Sequence, residues 1–306
     1  MKTLAITVPR DGKEPISSKR LPGPHFGARL IVTSNRQRNE RRDPRGRPAA
    51  GPDHAAGLGH RRRLEEAQAE WIWGWHAVAA ALENPRREPL KRLVATAERA
   101  RRLAEADPSR PIEILDGPAI ARLLPAGAIH QGVALRIPLI EPLDLAELGR
   151  PAAGFLVMLD QVTDPQNVGA VFRSAAALGA RGVIVQDRHA PPLAGALAKA
   201  AAGAIDRVAH AREVNLSRAL DRLEAMGWRA VGLDSAAAEE LASVLDGGPT
   251  VIVLGSEGEG LRRLVREHCD ALARIAMPGG FESLNIAAAA AIALYEASRA
   301  GSGARP

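Results

Sequence analysis

Apolar positions in this chain fall into short blocks whose period alternates. The short runs 154–159 (GFLVML), 182–186 (GVIVQ) and 250–254 (TVIVL) are almost wholly apolar, and Val and Ile recur in them. Too short for helices, they predict strands buried on both faces of a sheet. Further strands are expected over 207–210 and 228–233, and the intervening stretches 168–178, 192–202 and 216–226 read as helices. The last fifty residues hold the most informative pattern. Strand 250–254 runs into GSEGEG and a helical stretch over 261–268; strand 271–276 then runs into MPGGFESLN and an alanine-rich helix, with Ser283 as its expected N-cap. Two strand–glycine loop–helix units in succession usually gather their loops at one end of a parallel sheet.

A second, smaller alternation precedes this one. The stretch WIWGWHAVAAALENPRR holds a Gly–x–His turn and a short helix ended by Asn84-Pro85. Strands over 91–96 and 112–115, helices over 98–106 and 117–124, and a turn and strand in HQGVALRIPL complete it. The pattern predicts a separate small α/β domain over 71–140 and a linker over 141–152. A larger α/β domain over 153–300 follows. His76 and His130 are expected to stabilise turns by hydrogen bonding. No further His or Cys stands at ligand spacing, so no metal site is expected.

Composition changes this picture mainly at the N-terminus. Residues 1–68 carry seven prolines, seven glycines and no sustained period, and predict a disordered basic arm. Residues 1–63 hold 15 Lys and Arg against 5 Asp and Glu, whereas the remainder holds 26 against 30, so the excess of positive charge belongs to the arm. Such an arm is either a solvated leader or a sequence-independent attractor of phosphate. Aromatics make up only 3% of the 306 residues, so the core must be packed from small side chains. No apolar run approaches a membrane span, and the opening MKTLAITVPRDGK lacks a signal-peptide apolar region. A single cysteine, Cys269, read as a small buried residue, suits a reducing compartment and hence the cytoplasm.

Several chemistries are unsupported. The first strand of the larger domain leads into DQVTDPQN and not into a dinucleotide-binding G-x-G-x-x-G. Neither G-x-x-x-x-G-K-[ST] nor G-x-S-x-G occurs.

Three longer motifs carry a resemblance. DQVTDPQNVGAVFRSAAALGA, LGSEGEGL and IAMPGGFESLNIAAAAAIALYEA resemble, in order and spacing, the signature motifs of the SpoU (TrmH) family of RNA 2′-O-ribose methyltransferases. The G-x-H-A-V and H-Q-G-V-A segments resemble that family's substrate-binding domain. Within the family, the pattern is most similar to the branch that methylates a guanosine in the peptidyl-transferase P-loop of 23S rRNA. Alternatives are the same reaction on another rRNA site or a tRNA, and a catalytically silent RNA-binding homologue. The resemblance implies S-adenosylmethionine as cofactor, a trefoil-knotted parallel-sheet domain and a homodimer built on the final helix and the helix of the first motif. It also implies that Gly255, Ile275 and Leu284 hold the cofactor, and that Asn167, Arg173, Glu257, Ser283 and Asn285 form the catalytic set. Arg173 would either align phosphate and hydroxyl as a planar clamp or accept the hydroxyl proton; the clamp is the favoured role, since a guanidinium is a poor proton acceptor. Outside the motif, each of these residues has a plain structural role open to it: Ile275 and Leu284 in a core, Arg173 at the surface, Glu257 near a helix N-terminus and Ser283 as a cap.

Overall fold

The computed structural model describes residues 69–280 and 283–301. The basic arm expected over 1–68 lies outside the described residues. The elements run β1 (Ala69–Trp73), α1 (Trp75–Glu83), β2 (Arg92–Ala95), α2 (Ala97–Ala106), β3 (Glu113–Ile114), α3 (Gly117–Ala121), β4 (Val133–Pro138) and α4 (Leu145–Gly149). They continue β5 (Phe155–Leu159), α5 (Pro165–Leu178), β6 (Gly182–Gln186), α6 (Gly195–Ala201), β7 (Ala209–Glu213), α7 (Leu216–Glu224) and β8 (Arg229–Leu233). The last are β9 (Glu239–Glu240), α8 (Leu241–Val244), β10 (Thr250–Leu254), α9 (Arg263–Glu267), β11 (Ala271–Arg274) and α10 (Ile286–Gly301).

The strands make two sheets. The smaller has the order β1-β4-β2-β3. Its first strand, Ala69–Trp73, is absent from the sequence expectation: AEWIW carries a weak alternating pattern, and antiparallel pairing with β4 and burial of Ile72 and Trp73 settle it as a strand. The larger sheet has the order β7-β6-β5-β10-β8-β11-β9 and is parallel throughout. Its inner strands β5, β6 and β10 are buried at every position, as expected for a sheet covered on both faces. Non-consecutive strands thus come together: β10 lies between β5 and β8, and β11 lies beyond β8.

Helix α5 shows how sequence sets an element here. The Asp164 side chain accepts from the Gln166 N–H at 3.0 Å, Pro165 opens the first turn, and Gly179 closes the helix at a φ of 79°. Val168, Val171, Phe172 and Ala175 form its buried stripe. Gly169 is required by packing, since a Cβ there would stand 2.6 Å from the Leu197 carbonyl oxygen of α6. On its other side α5 packs against α10, whose Ala290 and Ala293 are fully buried. Small side chains allow that approach, as the low aromatic content required.

Two expectations change. Within the stretch read as a linker, residues 145–149 form α4, capped by Asp144, with Leu145 and Leu148 buried against α7 and Trp228. Apolar positions a turn apart were hidden there between prolines and acids. The part of the chain that forms the smaller sheet is also joined to the larger one by more than the chain. Arg87 and Asp206, 1% and 4% exposed, pair at 2.8 Å; Arg87 Nη1 also donates to the Pro138 carbonyl and Asn84 Nδ2 to Asp206 Oδ1.

Candidate cofactor and active site

Because β5 and β10 are parallel neighbours in register, with Leu159 opposite Leu254, their ends place Asp160 beside the loop that opens at Gly255. Ser256 and Gly260 exchange backbone hydrogen bonds at 3.1 and 3.0 Å, folding GSEGEG into a closed turn. That turn is possible only with glycine at its base: a Cβ on Gly255 would stand 2.1 Å from the Gly260 carbonyl carbon. Asp160, wholly buried, holds the far end of the turn by accepting from the Arg262 backbone N–H at 2.9 Å and its Nε at 2.7 Å.

The turn forms one wall of a cavity of about 580 Å³, a volume in the range of small-molecule sites. Gly255, Glu257, Ile275, Ser283, Leu284 and Asn285 all line it. Leu233, Asp234 and Ser235, which follow from β8, line it too. Sequence reading missed this third segment because LDSA carries no motif; only the insertion of β8 between β10 and β11 brings it to the site.

Glu257 is the hub of the rim. Its Oε1 accepts from Asn285 Nδ2 at 2.8 Å, Asn167 Nδ2 at 3.2 Å and the Ile286 backbone N–H at 3.3 Å. Asn285 Nδ2 also reaches Asn167 Oδ1 at 3.1 Å. Glu257 therefore sits at the N-terminus of α10, where a carboxylate is favoured, rather than at that of the helix next in sequence. Ser283 is not the cap of that helix. Asn285 is: its Oδ1 accepts the Ala287 N–H at 2.9 Å.

Arg173 stands apart. It lies on the exposed side of α5, does not line the cavity, and has no hydrogen-bond or ionic partner among the described residues. His130 stabilises its turn, Nδ1 accepting the Gly132 N–H at 3.1 Å, whereas His76 is exposed with no side-chain partner among the described residues. Burial pushes the Cys269 thiol up to about 12, with the Asp270 and Asp160 charges acting the same way, so it stays protonated. Among the described residues no group of three or more His, Cys, Asp or Glu could hold a metal ion, and no helix is long and apolar enough to cross a membrane.

A parallel sheet whose strand-end loops line a cavity of cofactor size, with both apolar and hydrogen-bonding groups, is the arrangement of an α/β protein with a small-molecule site. Comparison with known proteins narrows the class. Residues 154–295 match the SpoU rRNA Methylase family, and residues 71–143 match the RNA 2′-O ribose methyltransferase substrate-binding family. The 23S rRNA (guanosine-2′-O-)-methyltransferase RlmB of Xylella fastidiosa is 38% identical over 245 residues, 75% of this chain and 96% of that protein. An uncharacterized tRNA/rRNA methyltransferase of Mycolicibacterium smegmatis is 43% identical over 56% of each chain. The SpoU methyltransferase AviRb of Streptomyces viridochromogenes, solved with AdoMet, superposes with a TM-score of 0.65 at 27% identity, over 80% of this chain and 94% of that one. An AdoMet-bound rRNA methyltransferase of Sinorhizobium meliloti gives 0.65 at 26% identity, over 79% and 92%. The chain belongs to the SpoU family: it is an RNA 2′-O-ribose methyltransferase that uses S-adenosylmethionine. The cavity suits that cofactor, since Leu284, Ile275 and Ala289 supply apolar walls beside the polar groups of Asp234, Ser235 and Asn285. When bound, S-adenosylmethionine supplies an activated sulfonium methyl group.

Proposed function

We propose that this enzyme methylates the 2′-hydroxyl of a guanosine in the peptidyl-transferase P-loop of 23S rRNA. The support is the likeness to a 23S rRNA guanosine-2′-O-methyltransferase that extends over both domains and 96% of that protein. The observation that carries the site assignment is the Glu257 hub, which ties Asn167, Asn285 and the start of α10 together at the cavity rim. In this reading Gly255, Ile275 and Leu284 hold the cofactor, while Asn167, Glu257, Ser283 and Asn285 keep the rim in one arrangement. An activated methyl donor leaves the protein to orient the attacking hydroxyl and assist loss of its proton.

Arg173 would be the phosphate and hydroxyl clamp. Its exposed position fits a site completed by a second copy of the chain, and α10 beside it exposes Ile292 and Tyr295 one turn apart, at 39% and 51%. We take the enzyme to be a homodimer through α10 and α5, with the final segment knotted as the family resemblance implies, acting in the cytoplasm on ribosomal RNA. The domains are taken as 71–140 for substrate and 153–300 for catalysis. Mapping 2′-O-methyl groups along 23S rRNA from cells with and without the gene tests the target. Loss of one P-loop methyl group is expected; loss at a different rRNA or tRNA position would move the target, and no loss anywhere would favour a silent homologue.

A further inference from the structure

Beyond the cavity, one cluster of cations has no counter-ion among the described residues. Lys199 of α6, in the catalytic domain, reaches across to the substrate-side domain and donates to Gln131 Oε1 at 2.7 Å. The same oxygen accepts the Trp75 backbone N–H at 3.0 Å. Arg99 Nε donates to the Gln131 carbonyl at 3.2 Å, and its guanidinium lies 5.2 Å from the Trp75 ring centroid. The Arg102 guanidinium lies 4.2 Å from that centroid. Three cations from two domains thus surround one half-buried indole and one amide. Elsewhere on the surface Arg92, Arg222, Arg263 and Arg266 each face a carboxylate. Arg99, Arg102 and Lys199 face none among the described residues, and Lys199 is further desolvated, which holds its pKa below the usual lysine range.

The backbone is shaped to keep this arrangement. Gln131 has a φ of 55°, a left-handed conformation uncommon for a side-chain-bearing residue. Gly74, at a φ of 90°, leaves the space that Lys199 fills, because a Cβ there would stand 2.5 Å from Nζ. Lys199 belongs to α6, whose Leu197 and Ala200 pack on Gly169 of α5, so the cluster is fixed to the helix that carries Asn167.

We propose that Gln131, Lys199, Arg99, Arg102 and the Trp75 face form an RNA-backbone site that bridges the two domains and sets the distance between bound RNA and the reacting centre. Uncompensated cations held on an aromatic face suit a phosphate flanked by an unstacked base, since guanidinium stacking and base stacking use the same π surface. The inference rests on the RNA methyltransferase reading and adds to it the residues that hold the RNA away from the cofactor.

The test uses the full chain and an unmodified 23S rRNA transcript as probe. Arg102→Glu, Lys199→Ala and Gln131→Glu are compared with wild type by RNA binding across a salt series. Gln131→Glu is nearly isosteric and would tie Lys199 to a carboxylate without removing a cation. Each variant is expected to bind the transcript about 10-fold more weakly at 0.1 M salt, with a shallower salt dependence, as for lost phosphate contacts. Cofactor affinity by calorimetry should be retained, showing that the variants fold. RNA binding with wild-type affinity and slope in all three would overturn the proposal. Wild-type methylation of the same transcript tests the underlying reading separately.

Discussion

Glu257 Oε1 and Asn285 Nδ2 stand 2.8 Å apart although 28 residues separate them in sequence. This bond joins the two glycine-rich loops that line the cavity, and Asn167 adds the DQVTDPQN segment to the same junction. Replacing Glu257 by Ala strands two amide groups and the Ile286 N–H. S-adenosylmethionine affinity is expected to fall about 10-fold, equivalent to ~1.4 kcal/mol, whereas Glu257→Gln, which keeps an acceptor oxygen, should lose less. Calorimetry on both variants checks this order; equal affinity in all three proteins would remove Glu257 from the site.

In the proposed reading, substrate alignment turns on Arg173. Lysine keeps the charge but not the planar two-pronged donor. Arg173→Lys should lower the single-turnover rate by at least ~100-fold, about 2.7 kcal/mol of transition-state stabilisation. Cofactor binding should hold, because Arg173 does not line the cavity. Near-normal turnover would leave Arg173 as an ordinary surface arginine.

The buried pair between Arg87 and Asp206 carries a stability prediction. Asp206→Ala leaves a guanidinium 1% exposed with the Pro138 carbonyl as its one hydrogen-bond partner among the described residues. Loss of a partner from a buried pair costs about 3–5 kcal/mol, so chemical denaturation should show a large fall in midpoint. Asp206→Asn, which keeps the hydrogen-bonding oxygen, should fall less. A midpoint unchanged in the alanine variant would show that the domain junction is held by apolar packing instead.

His210 makes stability depend on pH. Burial, with Arg212, Arg86 and Arg87 adding to it, lowers its pKa to about 4 from an ordinary 6.5. The folded state therefore binds fewer protons than the unfolded state between these values. Its contribution is full above pH 6.5 and is lost as pH falls toward 4, amounting to about 2 kcal/mol by pH 5. Denaturation at pH 7 and pH 5 should show this loss in the wild type and a flatter profile in His210→Gln. Parallel profiles would mean that other groups set the acid limit.

Strands β5, β6 and β10 were legible from the chain itself because each is a nearly continuous apolar run, buried at every position, whereas β9, two exposed glutamates, carries no such signal and β7 lies at Ala209–Glu213 rather than 207–210. Helix α5 was legible from its spacing, although its start at Pro165 depends on the Asp164 cap. The glycines of GSEGEG announced a tight turn, and the motifs named the family. Three things needed the folded molecule. Strand order is a long-range choice, and only the placement of β10 between β5 and β8 brings the Asp234 segment to the cavity and Asp160 beneath the Gly255 turn. The cap of α10 was decided by the pull of Glu257 on Asn285, so Ser283, an equally good cap by residue type, stays outside the helix. The meeting of Lys199 with Gln131 spans 68 residues and two domains, and no local pattern encodes it. Local propensity and periodicity act over one or two turns of chain; cross-domain hydrogen bonds form only after apolar burial has set which surfaces meet.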